Sequence, residues 1–247
     1  MTRDDGFSFA ADPLADPVFT DPDALPAAVC RRVRKTYRTA TESVTALDDV
    51  TVDIPRAQVT VVVGPSGSGK SSLLRLLACI DSPDAGEVHI AGRRVDQLGA
   101  RARRALRQRQ VAYLFQRPGE NLLPYLDAVA QIRLAASLRG APVTAAAATD
   151  LLERLGLAGR DDHHPAQLSG GEQQRLAVAC GVVGDPALVV ADEPTAELDT
   201  AAAERVLVAM EDLAAAGVGF VISSHDPRVM AIADGFVRLD HGRLVAA

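Results

Sequence analysis

Residues Gly64 to Ser71 read Gly-Pro-Ser-Gly-Ser-Gly-Lys-Ser, and they leave the chain few folds to choose from. The spacing fits G-x-x-x-x-G-K-[ST], with Gly64, Gly69, Lys70 and Ser71 at the fixed positions. Before it, Val59 to Val63 is a short β-branched run that predicts a buried parallel strand. After it, Ser72 to Ala78 is rich in helix formers, with apolar residues gathered for one buried face. Strand, turn and helix in that order make a cradle for phosphate. Glycines at 64, 67 and 69 let the backbone wrap closely, and successive N–H groups at a helix N-terminus point at an anion. Pro65, Ser66, Ser68 and Ser72 complete the loop and the first helical turn. Lys70 would neutralise the β- and γ-phosphates, and the Ser71 hydroxyl would ligate Mg²⁺. The stretch predicts a nucleotide site.

The chain has 247 residues, enough for one large α/β domain or two small ones. Its 48% hydrophobic and 23% charged residues are those of a globular protein rather than a disordered one. The net charge of −6 is unevenly placed. Residues 1–28 hold six aspartates (Asp4, Asp5, Asp12, Asp16, Asp21, Asp23) against one arginine, so −5 lies there and about −1 in the rest. A near-neutral body argues against a nucleic-acid-binding surface, which is usually basic overall. Cys30, Cys79 and Cys180 are odd in number and lack metal-site spacing, which predicts a reduced, cytosolic setting. No apolar run reaches the roughly 18 residues of a membrane span, and no signal-peptide core opens the chain. If a membrane matters, a partner is expected to supply it.

Residues 1–28, with Asp-Pro at 12–13, 16–17 and 21–22, predict a largely disordered acidic tail. Phe7, Phe9 and Phe19 could anchor it, against the plainer reading of a solvated segment. Strands are predicted over 29–37, 44–54, 87–90, 111–115, 187–191 and 218–222, with a closing hairpin at 236–245. Helices are predicted over 122–138, 144–155 and 201–215, with a short one from Pro227. Ala91 to Arg94 reads as a turn, and Arg101, Arg103, Arg104, Arg107 and Arg109 as a solvated helix face. The alternation predicts a mostly parallel, doubly wound α/β sheet, an N-terminal antiparallel portion, and an inserted helical subdomain over about 117–184.

A phosphate loop alone leaves kinase, GTPase, helicase and transport ATPase open. Leu188 to Glu193 is an apolar strand ending in two carboxylates. Asp192 can hold Mg²⁺ opposite Ser71, and Glu193 is placed to take a proton from attacking water as a general base. Leu168-Ser169-Gly170-Gly171-Glu172-Gln173 precedes a helical run, and a Ser with two glycines at a helix start offers a second anion site.

With these residues in place the sequence resembles the ABC family of ATPases over about residues 29–247, in the family's motif order. Gly64–Ser71 is similar to its Walker A, Gln116 to its Q-loop, 168–173 to its signature and Leu188–Glu193 to its Walker B. Leu198 and Asp199 match its D-loop, His225 its switch histidine, and Tyr37 the aromatic that stacks on adenine. The resemblance implies a P-loop NTPase of ABC type that binds ATP and Mg²⁺, with Ser71, Gln116 and Asp192 near the metal. Tyr37, Gly64–Ser72, Ser169, Gly170, Gly171, Glu172 and Asp199 would contact nucleotide across a head-to-tail pair of subunits. Glu193, His225 and Gln116 would serve the hydrolysis, His225 by touching the γ-phosphate. The partners implied are a second ATPase subunit, identical for a homodimer, and an integral-membrane permease, with the chain on the cytoplasmic face of the membrane.

The run from Leu114 to Leu126 resembles the branch that energises lipoprotein and macrolide exporters and the cell-division ATPase. Arg117-Pro118-Gly119-Glu120 departs from that branch, where a shorter, more apolar link stands. The alternatives are a mechanical ATPase that moves a membrane protein without passing a substrate, and a soluble ABC-type ATPase acting on nucleic acid or the ribosome. The second usually carries a coiled-coil or zinc insertion, or two ATPase units per chain; none is visible in this sequence, and no nucleic-acid partner is expected.

Overall fold

The computed structural model describes residues 25–38 and 42–245; the expectations for the acidic segment 1–24 and its phenylalanines lie outside the described residues. Strands β1 (Ala28–Arg38), β2 (Ser43–Ile54), β4 (Ala85–Ile90) and β5 (Arg93–Arg94) form an antiparallel sheet in the order β2-β1-β4-β5. A second sheet has the order β10-β9-β3-β8-β7-β6, built from β3 (Val59–Val63), β6 (Val111–Leu114), β7 (Leu188–Asp192), β8 (Gly219–Ser223), β9 (Gly235–Asp240) and β10 (Arg243–Leu244). All its pairings are parallel except β9 with β10.

The apolar strand runs have two buried faces, which is why they read as continuous rather than alternating sequence. Val59, Val61, Val189, Ala191, Phe220 and Ile222 face one core, with Leu176 of α5 (Gly170–Val182) and Val206 and Met210 of α6 (Thr200–Ala215). Val62, Val190 and Val221 face the other, against Leu73, Leu74 and Leu77 of α1 (Lys70–Leu77) and Leu47, Val50 and Ile54 of β2. The antiparallel sheet and α1 therefore cover one side of the parallel sheet. The helices α5 and α6 cover the other, joined by α3 (Ala128–Arg139) and α4 (Ala145–Arg154). The expected doubly wound α/β sheet with an antiparallel N-terminal portion is what the chain forms.

Two expectations change. The helix predicted from Leu122 starts at Ala128, because Asp127 caps it by accepting from Ala130 N at 2.7 Å. Residues 122–127 form a turn around Pro124, held by the buried Gln131 side chain, which accepts from Leu123 N at 2.9 Å and donates to Leu123 O at 3.1 Å. An amide that saturates a loop's backbone groups outweighs the helical propensity of the leucines there. Arg93 and Arg94, read as part of a turn, pair instead with Ile90 and His89 as β5. The arginine-rich run does form a helix, α2 (Ala100–Gln110), with only Leu106 buried.

Phe220 is fully buried at the centre of the parallel sheet, under the helix-covered face. Its truncation to alanine is expected to cost about 3–5 kcal/mol of unfolding free energy, read by urea denaturation.

Candidate functional site

The parallel register decides where the chemistry collects. Val62 of β3 and Asp192 of β7 both pair with Ser223 of β8, so three strands end at one edge of the sheet. At about 4.8 Å per strand, the phosphate loop after β3 and the carboxylates after β7 stand roughly 10 Å apart.

The loop is shaped for close approach. Gly64 and Gly69 have φ of 152° and 103°, in the region that favours glycine. A Cβ on Gly64 would lie 2.1 Å from Leu239 O, and one on Gly69 would lie 2.3 Å from Ala46 O. The Lys70 ammonium folds over the loop and donates to the carbonyls of Gly64 at 2.7 Å and Pro65 at 3.0 Å. Ser68 is buried, and its hydroxyl has no partner among the described residues. An orphaned buried donor beside a lysine and a helix start is what a phosphate would satisfy. Ser66, Gly67 and Ser71 are exposed on the loop and the first turn of α1. The hydroxyl of Ser71 and the carboxylate of Asp192 are hard oxygen donors, the kind Mg²⁺ takes.

On β8, two serines set two acids. The Ser223 hydroxyl donates to Asp192, and the Ser224 hydroxyl donates to Glu193 at 3.0 Å. Glu193 stands at φ 46°, a left-handed conformation that is costly for a residue with a Cβ. It is held there by its N–H, which donates to Ser223 O at 3.0 Å. The other oxygen of its carboxylate lies 2.8 Å from Nδ1 of His225. His225 itself is 88% exposed, and Glu193 only 19%. Tyr113, on β6 beside Asp192, has its phenol pushed up to about 12, chiefly by burial and then by that carboxylate. Gln116 is exposed at the end of β6 and lines, with Tyr113, Asp192 and Glu197, a cleft of about 290 Å³.

The second anion site has a different internal geometry from the one its sequence implies. Ser169 caps α5, accepting from Glu172 N at 3.3 Å. Glu172 turns back on the cap, accepting from Ser169 N at 2.9 Å and Oγ at 2.8 Å, and from Arg160 Nε at 2.8 Å. The Ser169 N–H first, then Arg160 and the Ser169 hydroxyl, hold the Glu172 carboxyl down at about 2. Its carboxylate is therefore committed within its own helix start, while Gly170 remains exposed and lies against Leu198. Asp199 is spent on capping α6, accepting from Ala202 N at 2.8 Å. Tyr37 donates to Asp81 at 2.9 Å, with the Ser72 hydroxyl also in reach, so it stands beside α1; the Lys35 ammonium lies 5.3 Å from its ring centroid.

Sequence reasoning passed over Ser223 and Ser224 as acid-holding groups, although they stand immediately before His225. It also passed over Arg160, Tyr113 and Asn121. Asn121 accepts from Phe115 N at 2.9 Å and donates to Tyr113 O at 2.7 Å, closing the Arg117–Glu120 departure into a short 3-10 turn.

Residues 47–196 match the ABC transporter family. The chain is 39% identical over 218 residues to the lipoprotein-releasing system ATP-binding protein LolD of Chromohalobacter salexigens, covering 87% of this chain and 91% of that protein. It is 42% identical to the macrolide export ATP-binding/permease protein MacB 1/2 of Paracoccus denitrificans over 87% of its own length, but spans only 32% of that longer protein. The ATP-binding cassette MJ0796, solved as a dimer in a post-hydrolysis state bound to ADP and Pi, superposes with a TM-score of 0.79. That likeness covers 89% of this chain and 97% of the solved one at 29% identity. The cbiO1 component from Clostridium perfringens, at 22% identity and a TM-score of 0.78, shares the fold.

The Glu172 box gives a pH-dependent term. Its carboxyl falls from the ordinary 4.5 to about 2 on folding, so its contribution is fully present above about pH 5 and is lost as pH falls toward 2. Glu172→Gln is expected to lower stability at pH 7 by up to about 3 kcal/mol. The gap from wild type should close between about pH 5 and pH 2 in parallel urea titrations.

Proposed function

The chain belongs to the ABC transporter family, whose cassettes are ATPases, and on that footing we propose that it binds and hydrolyses ATP to drive a separate membrane permease. The observation that carries this is the convergence of Lys70, Asp192, Glu193 and His225 on one edge of the parallel sheet.

In this reading the N–H groups of residues 66–72 and the Lys70 ammonium take the β- and γ-phosphates, and Ser68 finds its partner there. Tyr37, beside α1, offers its ring to the adenine. Ser71, Asp192 and, from the end of β6, Gln116 would hold Mg²⁺, which when bound neutralises developing charge on the phosphates. Glu193 takes the proton of the attacking water. Its partial burial and its bond from Ser224 fix the carboxylate's direction. His225, paired to Glu193 through Nδ1, is free at its other nitrogen to reach the γ-phosphate. Two copies arranged head to tail would bring Ser169, Gly170 and Gly171 of one to the nucleotide of the other, and Asp199 to the seam. Glu172 then contributes by keeping Ser169 on its cap rather than by touching nucleotide.

The exporter or mechanical type of the partner is carried by likeness to relatives named for lipoprotein release and macrolide export. The block of helices over about 117–184 would be the permease-facing subdomain, with Tyr125, 70% exposed, on its surface. No helix among the described residues is long and apolar enough to cross a membrane, so attachment to the cytoplasmic face would come through that partner. The soluble nucleic-acid reading gains no support from these relatives.

Glu193→Gln is expected to lower kcat for ATP by about 10²–10⁴-fold with ATP affinity retained, since the amide keeps the shape and loses the base. Wild-type turnover in that variant would refute the assignment. Lys70→Ala should instead weaken ATP binding itself, by about tenfold or more in calorimetry. A membrane pull-down with Glu193→Gln and ATP-Mg²⁺ tests the partner: a multi-helix permease is expected, and co-purifying nucleic acid or ribosome would overturn it.

A further inference from the structure

Glu193 follows β7, and Ser224, His225 and Asp226 follow β8. The Ser223 carbonyl holds the Glu193 N–H and the Ser224 hydroxyl holds its carboxylate, which leaves Ser224 itself to be held. A hydroxyl rotates and has one hydrogen to give, so its direction depends on what it accepts. Ser224 Oγ accepts from the Asp226 N–H at 3.1 Å, and its own hydrogen is left for Glu193 at 3.0 Å.

Asp226 is tied down more firmly than a cap for five residues of helix requires. It begins α7 (Pro227–Ala231), and its carboxylate accepts from Arg228 N at 2.9 Å, from Arg228 Nε at 3.0 Å and from Arg228 Nη2 at 2.6 Å. The Arg228 guanidinium, working against burial, holds the Asp226 carboxyl below the usual carboxylate range. A planar fork on both oxygens fixes the carboxylate's orientation as well as its place. The fold gives something up for that fork: Arg228 Nη1 is buried with no hydrogen-bond partner among the described residues. The same carboxylate also accepts from the Thr195 hydroxyl at 3.4 Å, at the long end of the hydrogen-bond range. Thr195 is buried two residues past Glu193. Asp226 therefore reaches Glu193 twice, through Ser224 to its carboxylate and through Thr195 to the loop that carries it. Glu193 needs such a hold, because a backbone at φ 46° persists only where its surroundings fix it.

We propose that Asp226, oriented by Arg228, is a positioning residue for hydrolysis, locking Ser224 and Thr195 so that the Glu193 carboxylate keeps one direction. The inference rests on the reading of Glu193 as the base. None of the clamp's groups belongs to the phosphate loop, so its loss lowers turnover and leaves binding. A reacting group misplaced by about 1 Å costs on the order of 10²-fold in rate, which bounds the effect.

Single-turnover phosphate release and ATP calorimetry on the full chain test it. Asp226→Ala is expected to lower the rate about 10–100-fold with ATP affinity within about twofold of wild type. Thr195→Val should lower it several-fold, and Thr195→Ser, which keeps the hydroxyl, should run near the wild-type rate; this pair repeats the test without touching the cap of α7. The decisive comparison is made in the Glu193→Gln background. There, Asp226→Ala and Thr195→Val are expected to change the residual rate by less than about twofold, because the group they position is gone. An equal fall in both backgrounds, a rate loss matched by a loss of ATP affinity, or Thr195→Ser as slow as Thr195→Val would each overturn the proposal. Wild-type turnover in Glu193→Gln alone would sink the base and the clamp together, whereas an inactive Glu193→Gln beside a fully active Asp226→Ala would sink the clamp only.

Discussion

The parallel register of β3, β8 and β7 is the constraint on which the site depends. The three strands end at the same edge, which brings residues more than a hundred positions apart to within about 10 Å of each other. Ser223 sits in the middle strand, between the phosphate loop and Asp192, and its hydroxyl ties the acid to the strand that separates it from the cradle. A one-residue slip of β8 would turn Phe220 and Ile222 out of the helix-covered core and would carry both serines away from their acids. The register that buries the core is therefore also the register that aims the chemistry.

The same economy appears at the helix starts. Ser169, Asp199, Asp127 and Asp226 each accept from a backbone N–H of the helix they precede. For Ser169 the cap is reinforced by Glu172 and Arg160. Ser169 therefore stabilises α5 within its own subunit, whatever else the helix start at 169–171 binds. What the cap leaves exposed beside it is Gly170, whereas Gly171 is buried against Ala202 of α6.

The strand runs and the glycine loop were legible because they rest on local rules. Val59–Val63 is too short and too β-branched to be a helix, and a Cβ at Gly64 or Gly69 would strike a carbonyl. Asp192 and Glu193 were legible as the end of such a run. The strained φ of Glu193 and its two partners were not, since nothing in a linear pattern says which loop lies beside which strand end. The helix start at Ala128 rather than Leu122 was missed for a related reason. Leucines at 122, 123 and 126 fit a helical face, and only the folded position of Gln131, which takes up both backbone groups of Leu123, makes the turn the better solution.

The Arg117–Glu120 departure is a case where magnitudes separate two effects. Arg117 donates to Glu197 at 3.3 Å, linking the segment after Gln116 to the loop before Asp199, but these side chains are 72% and 46% exposed. An ion pair that open is worth about 0–1 kcal/mol and is screened by salt, so it cannot be what shapes the segment. Asn121 can: its side chain takes the backbone N–H of Phe115 and the carbonyl of Tyr113, two bonds to groups that the end of β6 would otherwise leave without partners. With Pro118 buried inside the turn, the extra residues form a self-contained plug fixed to β6 rather than to the acids across the cleft. Gln116 therefore stands on a base set by β6 and Asn121, to which the neighbouring Arg117–Glu197 pair adds little.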